Sequence, residues 1–342
     1  MNKKIILGIV TTILIIGGII GFNYYQKIFG KAVTKNGAVY IGSNASFDDV
    51  KNQLSSFINN PDFFVWVAEK KKFTKPKGGK YILKEGMSIN DVINLLRSGN
   101  QSPITLSFNN QDTLEKLAGR IAEQIEADST SLLQAMTDSN FLSKNNFTQK
   151  EALGMYIPNS YEFYWNTSAE NFRDKMLREY NRFWTSSRLE KAKQLNLTKE
   201  EVITLASIVQ KETAQKTERP IVAGLYLNRL KDNWPLQADP TVIYAITEVN
   251  GPDFIIKRVL NKDLQINSPY NTYKNIGLPP SLISMPDISS IDAVLNYQKH
   301  NYYYMCASVD KIGFHEFANS LAQHNRNAAK YQRWINQQGI RR

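Results

Sequence analysis

The chain is poor in the residues from which metal centres and nucleophilic dyads are built. It has one cysteine, Cys306, in 342 residues, so neither an intrachain disulfide nor a thiolate cluster can form. There are three histidines, His300, His315 and His324. None belongs to an H-E-x-x-H pattern, since His315-Glu316 lacks a second helical ligand, so no metal or other cofactor is expected. Ser207 lies outside any G-x-S-x-G turn, which argues against a serine hydrolase. A P-loop, a dinucleotide fingerprint, a zinc finger and an aromatic RNA-binding motif are also missing. The net charge is +11, but the basic residues are scattered among acidic ones, in runs no longer than Lys70-Lys71-Lys72. That pattern suits an anionic polymer or a membrane surface better than nucleic acid.

What is present is enough for a core. Hydrophobic residues make up 42% of the chain and aromatics 11%, and the length implies two or more units. After residues 1–4, a short cytoplasmic tail, an uncharged run from Ile5 to Phe22 follows Lys3-Lys4. Continued through Tyr24-Tyr25, it reaches the roughly 20 residues a bilayer-spanning helix needs, and the two tyrosines suit a membrane interface. The run is long for a signal peptide and no small-x-small cleavage site follows it. Residues 5–25 are therefore expected to be an uncleaved single-pass anchor. Lys27, Lys31 and Lys35 follow the span and weaken any orientation drawn from charge alone. No later segment is apolar for long enough to span.

Residues 36–108 read as a small α/β module with an internal echo. Tyr40-Ile41 leads to Ser46-x-x-Asp49-Val50, and Tyr81-Ile82 leads to Ser88-x-x-Asp91-Val92. Each copy predicts a strand, a turn and a helix opened by a serine cap with an acid three residues on. Gly99 stands where the second helix should stop, and residues 104–108 alternate like a closing strand. Such a unit is often a binding or spacer module.

From Asp112 the pattern turns helical, with Leu114, Leu117, Ala118, Ile121 and Ile125 on one stripe. Further helices are expected at 129–137, 169–182, 199–214, 220–231 and 240–247, and a strand near 302–307. The fold class is α+β: an N-terminal transmembrane helix, the small module, and a larger, mostly helical domain over 109–342 with a few strands.

Within 199–214 one residue stands out. Thr198 with Glu201 forms a capping box. At about 100° per residue, Leu205, Ile208 and Val209 share a stripe that Glu212 continues, while Gln210 and Lys211 point elsewhere. A carboxyl on an apolar face resists ionisation, by desolvation and by the negative end of the helix dipole. A partly protonated acid near neutral pH is what a general acid requires. The alternative is that the stripe has left the core by this turn, leaving Glu212 exposed or paired with Lys216.

The segment Ala206-Ser-Ile-Val-Gln-Lys-Glu-Thr213 resembles the A-S-I-(V/I)-E-K-E-T signature of the endolytic murein transglycosylases, the YceG-like family. Further motifs follow in the same order. They are Glu218-Arg219, Asn228-Arg229-Leu230, Leu236-Gln237-x-Asp239-Pro240, Tyr270-Asn271-Thr272-Tyr273, Gly277-Leu-Pro-Pro280 and His315-x-Phe317. The resemblance covers nearly the whole chain, including the anchor and a LysM-like module. It implies a membrane-bound lyase that cuts peptidoglycan strands between N-acetylmuramic acid and N-acetylglucosamine, leaving 1,6-anhydro ends. It implies Glu212 as the single acid and base, and a catalytic domain on the extracytoplasmic side of the cell membrane. Peptidoglycan synthases become candidate partners, and ending nascent-strand elongation a candidate role.

Candidate substrate-binding residues are Asn228, Gln237, Asp239, Tyr270, Asn271 and Thr272. Each also has a structural reading: Asn228 and Gln237 could cap local structure, Asp239-Pro240 looks like a helix start, and Tyr270 to Tyr273 could be an ordinary rigid loop. Glu218 reads more simply as a first-turn helix residue. Two positions depart from the family pattern: Gln210 replaces the signature's first glutamate, and Asn159 stands where many members carry aspartate. Two other functions remain open: a conventional muramidase using Asp239 or Glu218 as second carboxylate, and a non-catalytic, membrane-tethered peptidoglycan-binding scaffold.

Overall fold

The computed structural model describes residues 3–251, 254, 256 and 259–338. The chain forms two compact units.

The first unit takes in the chain through Leu106, together with Ile121–Asp128 and Ser160–Ser168. It opens with helix α1 (Lys3–Phe29), followed by β1 (Gly37–Ile41), α2 (Phe47–Leu54) and α3 (Pro61–Lys70). Strand β2 (Gly79–Leu83), α4 (Ile89–Ser98) and β3 (Ile104–Ser107) complete this stretch. Among the described residues, α1 is the one helix long and apolar enough to cross a membrane.

The echo is real in the helices. Ser46 and Ser88 each accept a backbone N–H three residues on, and Asp49 and Asp91 answer as capping boxes. Gly99 ends α4 at φ 72°, a left-handed conformation that glycine adopts without strain. In the strands the echo is out of phase. Tyr40 is exposed and Ile41 buried on β1, whereas Tyr81 is buried and Ile82 exposed on β2. Antiparallel pairing sets Val39 opposite Tyr81 and Tyr40 opposite Lys80. A one-residue offset exchanges the two faces of a strand, so the matching Tyr-Ile dipeptides do opposite jobs. Strand β3 stays out of this pair and joins β4 (Ser160–Phe163) instead. Glu126 takes the Ser43 N–H and hydroxyl at 2.7 and 2.5 Å, and the Asn166 amide reaches the Gly78 carbonyl at 3.1 Å. These bonds hold the two later segments in the unit.

The second unit is helical. In chain order come α5 (Leu114–Ala122, whose last residues belong to the first unit), α6 (Ser129–Met136), α7 (Ser139–Lys144) and α8 (Ala169–Phe183). Next are α9 (Ser186–Gln194), α10 (Lys199–Glu212), α11 (Arg219–Lys231), α12 (Asp239–Asn250) and α13 (Ile288–Leu295). A hairpin of β5 (Tyr304–Ala307) and β6 (His315–Ala318) precedes α14 (Leu321–Gln337).

Helix α10 is this unit's central element, in contact with α9, α11, α12 and α13. Thr198 and Glu201 form the expected capping box. The helix is not two-faced, however, because every residue from Val202 to Val209 is buried. A helix enclosed on all sides has no solvent face to mark its orientation. Inside it the Ser207 hydroxyl is satisfied: it donates to the Thr204 carbonyl at 2.7 Å and accepts the Ile283 N–H at 3.0 Å.

The close crossing of α11 with the segment before the hairpin depends on Gly224. A Cβ there would press into the Gln298 carbonyl oxygen and lie 2.7 Å from His300 Nε2. Gly224→Ala is expected to destabilise the protein by about 1–3 kcal/mol through overpacking, read as an earlier urea midpoint at unchanged slope.

Candidate active site

Glu212 is the last residue of α10, and the chain leaves the helix at Thr213 in extended conformation. The C-terminal turn brings the side chain out of the enclosed stretch, so Glu212 is half-buried where Val202–Val209 are fully buried. Because the helix stops here, the i,i+4 geometry that would bring Lys216 over it is lost. The hydroxyl of Tyr226, a buried residue of α11, donates to Glu212 Oε1 at 2.5 Å instead.

Burial raises the Glu212 pKa from 4.5 to about 7, against the Tyr226 hydrogen bond and the positive charge of His315, both of which favour the carboxylate. Asp239 adds to the upward push and Arg229 opposes it. The acid is therefore close to half-protonated at neutral pH, the condition in which one group can both give and take a proton. Burial and the adjacent Glu212 push the Tyr226 hydroxyl well above its ordinary pKa, so it stays a donor throughout.

His315 on β6 faces the same carboxyl electrostatically. It is fixed by Glu218, whose oxygens accept the His315 backbone N–H at 2.6 Å and ring Nδ1 at 2.9 Å. Burial raises the Glu218 pKa, but the two His315 bonds outweigh it and leave a lowered value. Burial likewise lowers His315, yet Glu218 outweighs it and the imidazole pKa is raised. Glu218 is thus an anchor for His315, with both oxygens engaged.

Asp239 was expected to cap α12 if its role were structural. The cap position falls on Ala238 instead, and Asp239 is the first helical residue. Its exposed carboxylate accepts from the Tyr273 hydroxyl at 2.6 Å. Beside it Gln237, also exposed, is held at φ 51°, a left-handed conformation that non-glycine residues adopt at a cost and that clusters at functional sites. The Gln237 N–H donates to the Thr272 carbonyl at 3.0 Å, which pins this turn.

The remaining sequence-derived candidates are bonded within the fold. The Asn228 amide donates to the His300 and Tyr302 carbonyls at 2.9 and 3.1 Å. Tyr270 is buried with its hydroxyl 2.6 Å from Ser281, and the Asn271 amide bonds two backbone carbonyls at 2.9 Å. Thr272 is buried against the Ala238 N–H and Thr241. Tyr270, Asn271 and Thr272 shape the loop that presents Gln237, Asp239 and Tyr273, whereas Asn228 holds the segment before the β5–β6 hairpin.

Gln210 holds structure together. Its Oε1 accepts from the Asp287 N–H at 2.6 Å and the Ser290 hydroxyl at 3.1 Å, and its Nε2 donates to the Met285 carbonyl at 3.3 Å. An amide can donate and accept at once, which a carboxylate cannot. Two residues before Glu212 on a helix, it points away from that carboxyl.

Sequence reasoning missed Tyr226, Tyr273, Arg229 and the role of His315. Buried Arg229 packs its guanidinium over Trp234 at 5.8 Å and donates to the Tyr303 carbonyl at 2.8 Å, bracing the turn before α12. A groove of about 260 Å³ is lined by Lys211, Pro240, Ile243 and Tyr244 among others, the first two being chain neighbours of Glu212 and Asp239.

A buried tyrosine clamps a half-buried glutamate at a helix end, and a histidine held by a second glutamate acts on it electrostatically, an arrangement able to carry acid–base chemistry. The chain belongs to the YceG-like family, whose model matches residues 39–330. An endolytic murein transglycosylase of Bacillus subtilis is 30% identical over 93% of this chain and 91% of its own length. Another of that name, from Streptococcus pneumoniae, is 27% identical over 92% of this chain. The chain spans 62% of that longer relative. The crystal structure of a putative yceG-like protein from Listeria monocytogenes superposes with a TM-score of 0.57 at 28% identity, covering 85% of this chain and 98% of that one.

Proposed function

We propose that this protein is an endolytic lytic transglycosylase acting on peptidoglycan. The observation that carries the reading is the Glu212 carboxyl, raised to about 7 and clamped by Tyr226. In the first step Glu212 gives its proton to the glycosidic oxygen between N-acetylmuramic acid and N-acetylglucosamine, and the C1–O bond breaks. In the second, the Glu212 carboxylate takes the proton of the muramic acid 6-hydroxyl while that oxygen bonds to C1. A 1,6-anhydro end forms, no water is consumed, and Glu212 returns to its starting state. The nucleophile belongs to the substrate, so proximity replaces a second protein carboxylate.

The raised pKa serves the first step and the Tyr226 hydroxyl serves the second, by stabilising the carboxylate once it has formed. Exposed Gln237 and Asp239, with Tyr273, are the groups placed to meet sugar hydroxyls, and the groove beside Lys211 and Tyr244 offers a path for the strand. A muramidase reading needs a second free carboxylate. Glu218 is committed to His315, which leaves Asp239 as the only one of the two candidates still available.

We further assign α1 as a single membrane span with the chain that follows it outside the cytoplasm, where murein lies. The β1–α2–α3–β2 order supports a LysM-like reading of the first unit, as a module that binds glycan. In this reading the enzyme ends nascent strands beside a peptidoglycan synthase. The test is mass spectrometry of fragments released from purified glycan strands by the intact protein. Anhydro-muramic acid ends are the expected product, and reducing ends would show a hydrolase.

Tyr226→Phe isolates the clamp. Losing a hydrogen bond to a charged group of about 1.5–3 kcal/mol is expected to raise the Glu212 pKa further and to slow cleavage at pH 7 about tenfold or more. The check is a pH–rate profile, whose limb assigned to Glu212 should move to higher pH.

A further inference from the structure

The end of α1 carries an exposed aromatic cluster for which the catalytic reading has no use. Tyr24 lies against two residues of α3, with ring centroids 6.2 Å from Phe63 and 5.6 Å from Trp66. Phe63 and Trp66 stack on each other at 5.1 Å. Tyr24 is 45% exposed and Trp66 37%, and the adjacent Tyr25 and Phe29 one turn beyond it are exposed as well. Lys27 lies 5.5 Å from the Phe63 ring, and Lys70 lies 5.8 Å from the Trp66 ring.

The position of this cluster along α1 fixes its depth. The uncharged stretch Ile5–Gln26 has 22 residues, about 33 Å of helix, which matches the hydrocarbon thickness of a bilayer. Tyr24 therefore falls at the boundary, and the helix runs on to Phe29 beyond it. Phe63 and Trp66 touch Tyr24, so the start of α3 shares that level, where indole and phenol rings are most at home.

Charge agrees. Lys27, Lys31 and Lys35 follow the span without an acid among them, and residues 61–77 carry five lysines against Asp62 and Glu69. Asp62 is paired with Lys51 at 2.6 Å. Basic residues at this depth attract anionic headgroups.

We infer that α3 is a membrane-surface helix: Trp66 and Phe63 enter the headgroup layer beside Tyr24, and the flanking lysines bind anionic lipid. The first unit is thereby held flat on the bilayer and does not swing freely on its anchor. This rests on the reading of α1 as a span.

The test uses the full chain in vesicles of phosphatidylcholine and phosphatidylglycerol whose acyl chains are brominated near the carbonyl end. Subtracting the emission of Trp66→Phe from that of the unsubstituted protein isolates Trp66 from the other tryptophans. The expected result is a blue-shifted Trp66 component that loses most of its intensity in brominated lipid, and loses less when phosphatidylglycerol is omitted. An unquenched Trp66 component would overturn the inference, including one blue-shifted by a protein partner. Vesicle flotation after an alkaline wash separates the two failures. Protein that floats with Trp66 unquenched refutes the surface helix alone, and protein that does not float refutes the anchor and the surface helix together.

Discussion

Glu212→Gln is expected to reduce glycan cleavage by about a thousandfold or more, within the range that general acid–base groups contribute and with two proton transfers resting on one residue. The substituted side chain keeps its size and can still accept from Tyr226, so the site should stay assembled. Binding of glycan strands is expected to survive, since glutamine removes a titrating proton and leaves the surrounding loop intact. Steady-state cleavage beside strand binding by the same preparation checks both halves.

The same variant carries a stability signature with a definite sign. The Glu212 pKa is 4.5 ordinarily and about 7 in the folded protein. Between those values the folded state holds a proton that the unfolded state has lost, so raising the pH favours unfolding. The penalty is absent below about pH 4.5 and complete above about pH 7. Discounted for solvent screening at a half-buried site, it amounts to about 2 kcal/mol. Glu212→Gln should therefore be more stable than the parent at pH 8, with the difference gone at pH 4. An inactive variant that gains alkaline stability has not simply misfolded.

Arg219→Met is expected to cost about 3–5 kcal/mol, the usual penalty for removing one partner of a buried ion pair. Arg219 is 5% exposed. Its Nη1 meets both Asp287 oxygens at 2.8 Å and the Ser289 hydroxyl at 2.6 Å. Its Nε reaches the carbonyl of Thr213, the residue after Glu212, at 3.4 Å. One side chain thus ties the start of α11 to the cap of α13 and to the end of α10. Thermal unfolding should shift down by roughly 6–20 °C for a unit of this size, and cleavage should weaken because the Glu212 carboxyl loses its fixed position. Burial raises the Asp287 pKa, but Arg219, Ser289 and Ser290 outweigh it and hold it below 3.8. The pair's contribution is therefore present above about pH 3.8 and lost as pH falls through the lowered value. The deficit of Arg219→Met should accordingly shrink in strong acid.

Local chemistry was legible in the sequence and tertiary partnership was not. The capping boxes at Ser46, Ser88 and Thr198 are written in three-residue spacings, and all three form. The α8, α10 and α11 helices start within a residue of expectation, because caps and apolar spacing are local signals. Strand phase was not legible: Tyr40-Ile41 and Tyr81-Ile82 look identical until pairing assigns their faces. Helix α3 was missed although Asn60-Pro61 is a cap followed by a favourable first-turn proline. Glu212 stood out because it continues the stripe of Leu205, Ile208 and Val209 on a single helix. Its partner Tyr226 comes from the next helix, and His315 meets Glu218 from 97 positions away. Only the packing of α11 against α10 and the Glu218–His315 bonds to the β5–β6 hairpin bring them together, and no spacing in the chain encodes it. At Asp239 the cap that Asp239-Pro240 suggests falls one residue earlier, on Ala238, and the carboxylate takes the Tyr273 hydroxyl instead, a partner 34 positions away that no local spacing shows.

The most direct measurement is the protonation of Glu212 itself. An infrared difference spectrum between the parent and Glu212→Gln, taken across pH in the intact protein, isolates one carboxylic acid C=O band. The proposed chemistry requires that band to lose half its intensity near pH 7, where the folded carboxyl titrates. A midpoint near the ordinary 4.5 would leave Glu212 fully ionised at neutral pH, with no proton to give, and would contradict the account.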